Sequence, residues 1–152
     1  GKEGAALQAY AVALATTADS SLGFRSDEFL EKLSNFIKYE VYKQKLKKVE
    51  KLLGEKDRSK VVRELGHGIE AFNSVPAAIY SFLSHPNSFE EAVIYAISLG
   101  GDTDTIGAMT GAISGAYLGV EAIPQKWQEK LENREYIASL AEKLWQIKTE
   151  VS

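Results

Sequence analysis

The chain has 152 residues, of which 45% are hydrophobic and 26% are charged, a composition typical of one globular domain rather than of a disordered segment. Its formal net charge of −3 gives no general affinity for polyanions. It contains no cysteine, which excludes disulfides and cysteine-ligated zinc, and no apolar run long enough to cross a membrane.

Apolar residues at helical spacing predict helices through the first part of the chain. Residues 1–18 read as an alanine-rich helix, and its apolar start suggests that this helix begins earlier. Ser26 is the predicted cap of the next helix, whose apolar stripe continues to Leu53, with Gly54 as the stop. The buried face expected at its beginning comprises Phe29, Leu30, Leu33, Phe36, Ile37 and Val41.

The stretch from residue 43 to residue 63 is strongly basic, with nine lysine or arginine residues against three acidic ones. The favoured interpretation is a solvated helix face, and the alternative is attraction of a phosphorylated ligand or polymer. Aromatic residues do not alternate with these lysines, which weakens any nucleic-acid interpretation.

A short helix is predicted over residues 59–65, and Gly66, His67, Gly68 and Ile69 follow it. Glycine on both sides of His67 permits backbone conformations closed to other residues and lets a ligand approach the main chain. From the residues alone, a plain turn between two helices is the favoured interpretation. His67 as a catalytic base is the functional alternative.

Two further helices are predicted, one before and one after residues 85–87. Ser74 opens a helix with Pro76 in its first turn, and residues 85–87 end it. Its expected buried face comprises Val75, Ala78, Ile79, Phe82 and Leu83. Ser88 and Glu91 then form a capping box for a helix that runs to Leu99.

Residues 100–105, here called the acidic loop, read Gly-Gly-Asp-Thr-Asp-Thr. Asp102 and Asp104 can direct both carboxylates at one point and Thr105 adds a hydroxyl oxygen, a donor set that Mg2+ or Mn2+ prefers. Helix capping would explain one of these residues but not the whole run. The Asp-x-Asp loop of haloacid-dehalogenase-like phosphatases would need a β-strand before Asp102, and an EF-hand would need a later glycine and a terminal glutamate. The motif alone leaves a metal site and a structural turn equally open.

Beyond the acidic loop, residues 106–118 predict a helix with glycine at every fourth position, 107, 111 and 115. Glycine is costly in a helix, so we expect another helix or a ligand to approach this strip closely, and close helix packing is the favoured explanation. Pro124 and Asn133 begin two further helices. The last helix is expected to turn Ile137, Leu140, Ala141, Leu144 and Trp145 inward. The prediction is therefore an all-α chain of about eight helices.

Taken together, these motifs resemble the ADP-ribosylglycohydrolase family. That family includes hydrolases that remove ADP-ribose from serine or arginine, and the dinitrogenase-reductase-activating enzymes. The resemblance rests on residues 100–105 with the following Gly/Ala helix, on residues 64–69 with Ser-Val-Pro at 74–76, and on the Pro-x-x-Trp turn at 124–127. It extends over nearly the whole chain.

The resemblance implies a compact all-α bundle around a centre of two Mg2+ ions, with Mn2+ as a substitute. It assigns Asp102, Asp104 and Thr105 as metal ligands, with Asp104 bridging the two ions. The same two aspartates are the catalytic candidates, and Asp102 is the better candidate for an additional acid–base role. Carboxylates held against cations stay ionised, which favours a ligand over a general acid.

The resemblance also assigns His67, Gly68 and Ile69 to the loop that contacts ADP-ribose. Other elements of the family lie in an N-terminal half without a counterpart here: an acidic ligand motif, a Thr-Asp-Asp run, phosphate-binding glycines and an adenine-stacking aromatic residue. No Asp-Asp pair occurs in this sequence. We therefore interpret residues 1–152 as the C-terminal part of one larger all-α domain, with the N-terminal part of the same enzyme as its partner.

The resulting hypothesis is a Mg2+-dependent hydrolase that cleaves the bond at the anomeric carbon of ADP-ribose joined to a protein side chain or to another ADP-ribose. The chain alone is expected to be inactive. The alternative is a non-catalytic relative that binds ADP-ribose or serves a structural role. The expected location is cytoplasmic, without contact to a membrane or direct contact to nucleic acid.

Overall fold

The computed structural model describes residues 1–151. Within them it contains helices and no β-strand, which confirms the all-α prediction. The α-helices are α1 (Lys2–Thr17), α2 (Ser26–Phe36), α3 (Glu40–Leu52), α4 (Arg58–Leu65), α5 (Ala71–Ser84), α6 (Phe89–Ser98), α7 (Thr103–Leu118), α8 (Gln125–Lys130) and α9 (Arg134–Val151). Short 3₁₀ turns lie at Ser20–Leu22 and Val120–Ala122. None of the described helices is both long and apolar enough to span a bilayer.

The predicted stripe from Ser26 to Leu53 is divided between two helices, because the backbone becomes extended at Ile37 and Tyr39. The carboxylate of Glu3, on α1, accepts hydrogen bonds from the backbone N–H groups of Lys38 at 2.7 Å and Tyr39 at 3.2 Å. A partner 35 residues away thus satisfies the donors that the break exposes.

The break corrects two details of the prediction for this region. Phe36 and Val41 flank it and are each 44% exposed, so they do not belong to the buried face. The cap position of α2 is Arg25, and Ser26 is the first helical residue.

Residues 1–122 form one unit, and its core surrounds α5. Every residue of α5 from Ser74 to Leu83 is buried, and α1, α3, α6 and α7 all pack against this helix. α5 begins at Ala71, earlier than the predicted Ser74, so Pro76 lies inside the helix and not in its first turn. The carbonyl of Glu70 starts the helix by accepting from the backbone N–H groups of Asn73 and Ser74.

The two helices that lead into and out of the acidic loop form as the sequence predicts, with small shifts at their ends. The Ser88 hydroxyl accepts a hydrogen bond from the backbone N–H of Glu91 at the start of α6, which confirms the predicted cap. α7 begins at Thr103, three residues before the predicted start at Ile106, and ends at Gly119 as predicted.

The second unit begins at Ile123 and contains α8 and α9. Pro124 precedes α8, as expected, and α9 begins one residue after Asn133. The expected inward face of α9 is wrong for the described residues: Leu144 is 69% exposed and Trp145 is 54% exposed. Helical spacing identifies an apolar face, but it does not determine what covers that face.

Candidate metal and substrate site

The structure brings together two motifs that lie more than 30 residues apart in the sequence. Residues 66–69, here called the His67 loop, lie against the acidic loop. The carbonyl of His67 accepts a hydrogen bond of 2.8 Å from the backbone N–H of Asp102. This main-chain contact joins the predicted substrate-binding residues to the predicted metal ligands.

The glycine at position 101 makes this approach possible. Its φ is +69°, in the region that residues with a side chain rarely adopt. A Cβ atom added there would lie 2.1 Å from the carbonyl oxygen of His67, well inside van der Waals contact. The neighbouring Gly100 has a similar φ of +75°, but an added Cβ would lie at an ordinary 3.6 Å from His67 Nδ1.

The His67 side chain adds a second connection. Its Nδ1 lies 2.7 Å from the carbonyl oxygen of Leu99, the residue that caps the end of α6. Because a carbonyl oxygen can only accept, this contact requires the proton on Nδ1. In the neutral imidazole, Nε2 is then the atom that can accept a proton.

The acidic residues lie at the start of α7, with Asp102 at the N-cap position. The Asp102 side chain makes no capping hydrogen bond, so capping does not explain this carboxylate. A helix, α6, precedes the acidic loop, which contradicts the phosphatase alternative because that alternative requires a strand. Asp104 and Thr105 are exposed in the first turn of α7.

The carboxyl groups of Asp102 and Asp104 interact with each other. Hydrogen bonding between the two carboxyl groups, followed by the backbone N–H of Thr105, which donates to Asp104 Oδ1 at 2.9 Å, lowers the pKa of Asp104. Asp104 therefore remains an anion at neutral pH, beside a second carboxyl group and an exposed hydroxyl-bearing residue.

These three side chains supply oxygen donors of the kind that hard divalent cations select. They form only part of a metal shell, because Mg2+ takes about six ligands. In the part of the chain that the structure describes, no group of three or more His, Asp or Glu side chains is placed to hold an ion. The chemistry of the donors thus fits Mg2+, and their number calls for further ligands.

Gly68 and Ile69 continue the His67 loop on its outer side. The Ile69 side chain is 80% exposed, so it is available to a ligand and contributes little to the core. A Cβ atom at Gly68 would lie 2.6 Å from Glu70 Oε2, so the Glu70 carboxylate packs against the backbone of the loop.

The sequence patterns did not identify three residues whose side chains contact the His67 loop or the helix ends beside it, namely Lys45, Glu70 and Asn73. Lys45 was grouped with a solvated basic face, yet its ammonium group contacts α4 and α5. Its position gave a signal, because Lys45 follows the buried Tyr42 by three residues and precedes the buried Val49 by four.

The glycine strip of α7 meets α6, which confirms the expected close helix packing. Cβ atoms added at Gly107 and Gly111 would lie 3.3 Å from Ile97 Cγ1 and 3.5 Å from Phe89 Cζ, respectively. The strip therefore sets the distance between the two helices that flank the acidic loop.

Comparison with known proteins assigns these motifs to a family. The family model described as ADP-ribosylglycohydrolase matches residues 1–151. The chain is 42% identical to ADP-ribosylhydrolase ARH3 of Mus musculus over 182 residues, covering all of this chain and 48% of that protein. It is 40% identical to ADP-ribosylhydrolase ARH3 of Homo sapiens, covering 97% of this chain and 48% of that protein.

A bacterial relative is more distant. ADP-ribosylarginine hydrolase Tri1 of Serratia proteamaculans is 35% identical over 91 residues, which cover 60% of this chain and 24% of that protein. The chain spans about half the length of the ARH3 relatives that it matches.

Proposed function

Because the chain belongs to the ADP-ribosylglycohydrolase family, we propose that it supplies one side of the active site of a Mg2+-dependent ADP-ribosyl hydrolase. The substrate is ADP-ribose attached to a protein side chain or to another ADP-ribose. The observation that carries this proposal is the hydrogen bond between the Asp102 N–H and the His67 carbonyl. It joins an oxygen-donor loop to the loop that the family resemblance assigns to ADP-ribose.

In the proposed reaction, the oxygen of a water molecule bonds to the anomeric carbon of the ribose. The bond from that carbon to the side-chain or sugar atom breaks, and its electron pair leaves with that atom, which takes up a proton. Asp102, Asp104 and Thr105 would hold the metal. When bound, Mg2+ orients ribose hydroxyls and water and stabilises the developing charge, and Mn2+ suits the same donors.

The residues of this chain have distinct roles in the proposal. Asp102 is the better candidate to take the proton of the attacking water, because Asp104 Oδ1 is already engaged by the N–H of Thr105. Gly68 and Ile69 are the proposed contacts to the sugar: the exposed Ile69 offers an apolar surface, while the Glu70 carboxylate occupies the side of Gly68 where a Cβ atom would lie. His67 fixes the loop through its carbonyl oxygen and through Nδ1.

The three donors fill only part of the six-ligand shell of Mg2+, in which water and substrate oxygens can also take part. The family resemblance implies further protein ligands, and the chain spans about half of its ARH3 relatives. We propose that a further part of the same enzyme supplies those ligands, and that residues 1–152 alone are inactive. The absence of cysteine is consistent with a cytoplasmic location, which cell fractionation would test.

The test is release of ADP-ribose from serine- and arginine-modified proteins by the full-length enzyme, with Mg2+ and after its removal by a chelator. We expect Asp104→Asn to lower the Mg2+-dependent rate by at least about 100-fold, because it removes a charged ligand. Asp27→Asn is the matched control, since Asp27 is also exposed in the first turn of a helix. Full activity in the chelated enzyme would refute the metal assignment. Binding of ADP-ribose without release would establish the non-catalytic alternative.

A further inference from the structure

Lys45 is the one member of the basic stretch whose ammonium group reaches three acceptors on two other helices in the described structure. Nζ donates to the carbonyl oxygen of Leu65, to Asn73 Oδ1 at 3.1 Å and to the carbonyl oxygen of Glu64 at 3.4 Å. Glu64 and Leu65 are the last residues of α4, where carbonyl groups lack helical partners and a positive charge is favourable. The lysine therefore closes the end of α4 immediately before the His67 loop.

Asn73 extends this contact under the His67 loop. Its amide lies so close to Gly66 that a Cβ atom there would be 2.5 Å from Asn73 Oδ1. Asn73 Nδ2 donates to Glu70 Oε2 at 3.2 Å, and that carboxylate packs against Gly68. Lys45, Asn73 and Glu70 thus support the loop from one side, while the acidic loop contacts His67 on the other.

From this geometry we infer that Lys45 is a positioning residue, which holds the His67 loop in register with Asp102 so that substrate meets both loops at once. The inference rests on the proposed function for its kinetic consequence. The inference also has a structural part: the Lys45 ammonium group maintains the hydrogen bond from the Asp102 N–H to the His67 carbonyl. This part does not depend on any activity.

The ammonium group is held by dipoles and not by an ion pair. Lys45 forms no salt bridge with any carboxylate in the described residues, whereas Lys48 pairs with Glu64 at 3.0 Å on the exposed side. Burial, followed by the charge of Lys48, lowers the pKa of Lys45. The partly buried Lys45 cation donates to two chain carbonyls and one amide, which suits it to fixing a backbone. Its loss removes this donor from the Leu65 carbonyl and from Asn73 Oδ1, while the Glu64 carbonyl still accepts from Lys48 Nζ at 3.4 Å.

The test compares Lys45→Met with Lys47→Met in the full-length protein. Both variants remove one lysine charge from α3 and keep an unbranched side chain, but Lys47 is exposed. We expect hydrogen exchange at the Asp102 amide to become about tenfold faster in Lys45→Met. The loss of a hydrogen bond to a charged group shifts the opening equilibrium by about that factor. In Lys47→Met the exchange rate should stay at the wild-type value.

The kinetic measurement separates positioning from general stability. We expect the KM for an ADP-ribosylated peptide to rise about tenfold in Lys45→Met with kcat within about twofold, because a displaced loop weakens substrate binding. A uniform acceleration of exchange across the whole chain, or a fall in kcat at constant KM, would show a purely structural role and overturn the inference. Unchanged exchange at Asp102 would overturn it as well.

The inference remains testable if Lys45→Met does not fold or if the enzyme is inactive. If Lys45→Met does not fold, Asn73→Ala removes the side-chain acceptor from the other end of the contact and should accelerate exchange at the same amide. If the wild-type enzyme releases no ADP-ribose, the proposed function fails, while the exchange experiment still decides the role of Lys45.

Discussion

Glycine has different roles in two neighbouring stretches of this chain. At Gly101 a positive φ and a carbonyl oxygen 2.1 Å from the position of any Cβ both exclude a side chain. Along α7, Gly107, Gly111 and Gly115 have ordinary helical backbones, and an added Cβ would meet only side chains of α6, at 3.3 to 3.7 Å. The first stretch meets the backbone of another loop, and the second meets side chains that can move.

This difference shows which contacts fix the position of the acidic loop. The position of the acidic loop depends on one main-chain hydrogen bond and on the glycine that permits it. The glycine strip in α7 affects only the separation of two helices, which adjacent side chains can adjust. Replacing glycine by alanine should therefore change the free energy of unfolding by different amounts, and even with different sign, in the two stretches.

The largest effect is expected for Gly101→Ala. The added methyl group would force the His67 loop away from the acidic loop and would also place alanine at an unfavourable φ. We expect the free energy of unfolding to fall by about 3 kcal/mol, from strain and overpacking together. Urea denaturation of the full-length protein measures this change, and ADP-ribose release should fall with it.

Gly100→Ala is the matched control for Gly101→Ala, since the two glycines have nearly the same φ. An added Cβ at Gly100 lies at contact distance from His67, so only the conformational cost of roughly 1 to 2 kcal/mol remains. Equal losses in the two variants would mean that the contact with the His67 carbonyl contributes nothing beyond backbone strain.

A smaller effect is expected for His67→Ala. This change removes the hydrogen bond from Nδ1 to the Leu99 carbonyl but leaves the backbone bond to Asp102 in place. The free energy of unfolding should fall by about 1 kcal/mol, the usual net contribution of one hydrogen bond. Thermal denaturation can resolve this change. A loss as large as that of Gly101→Ala would show that the ring, and not the backbone, holds the two loops together.

Local patterns were sufficient to predict most of the helices and the composition of the acidic loop. Ser88, Gly54 and Gly119 mark helix ends through interactions within a few residues, which sequence spacing encodes directly. The pairing of Asp102 and Asp104 at a helix–loop–helix junction was predictable for the same reason. Their assignment as metal ligands stays a prediction, as does the contact of His67, Gly68 and Ile69 with ADP-ribose.

Contacts between distant residues could not be predicted from spacing. The break between α2 and α3 depends on Glu3, and the position of the His67 loop depends on Asp102 and Lys45. The sequence contains these residues but does not specify which backbone groups they meet. Lys45 shows the difficulty most clearly, because its neighbours Lys47 and Lys48 are solvent-exposed lysines of the same helix.

The smallest effect, and one of opposite sign, is expected for Gly111→Ala. An added Cβ would lie 3.5 Å from Phe89 and 3.6 Å from Val93, which is ordinary van der Waals contact. Because alanine is favoured over glycine by up to about 1 kcal/mol within a helix, we expect a gain of a few tenths of a kcal/mol after small adjustments of α6. Gly107→Ala should gain less, since its Cβ would lie 3.3 Å from Ile97. Chemical denaturation of both variants tests this order. If Gly111→Ala is destabilising, the α6–α7 contact is as rigid as the loop contact, and the distinction between the two glycine stretches fails.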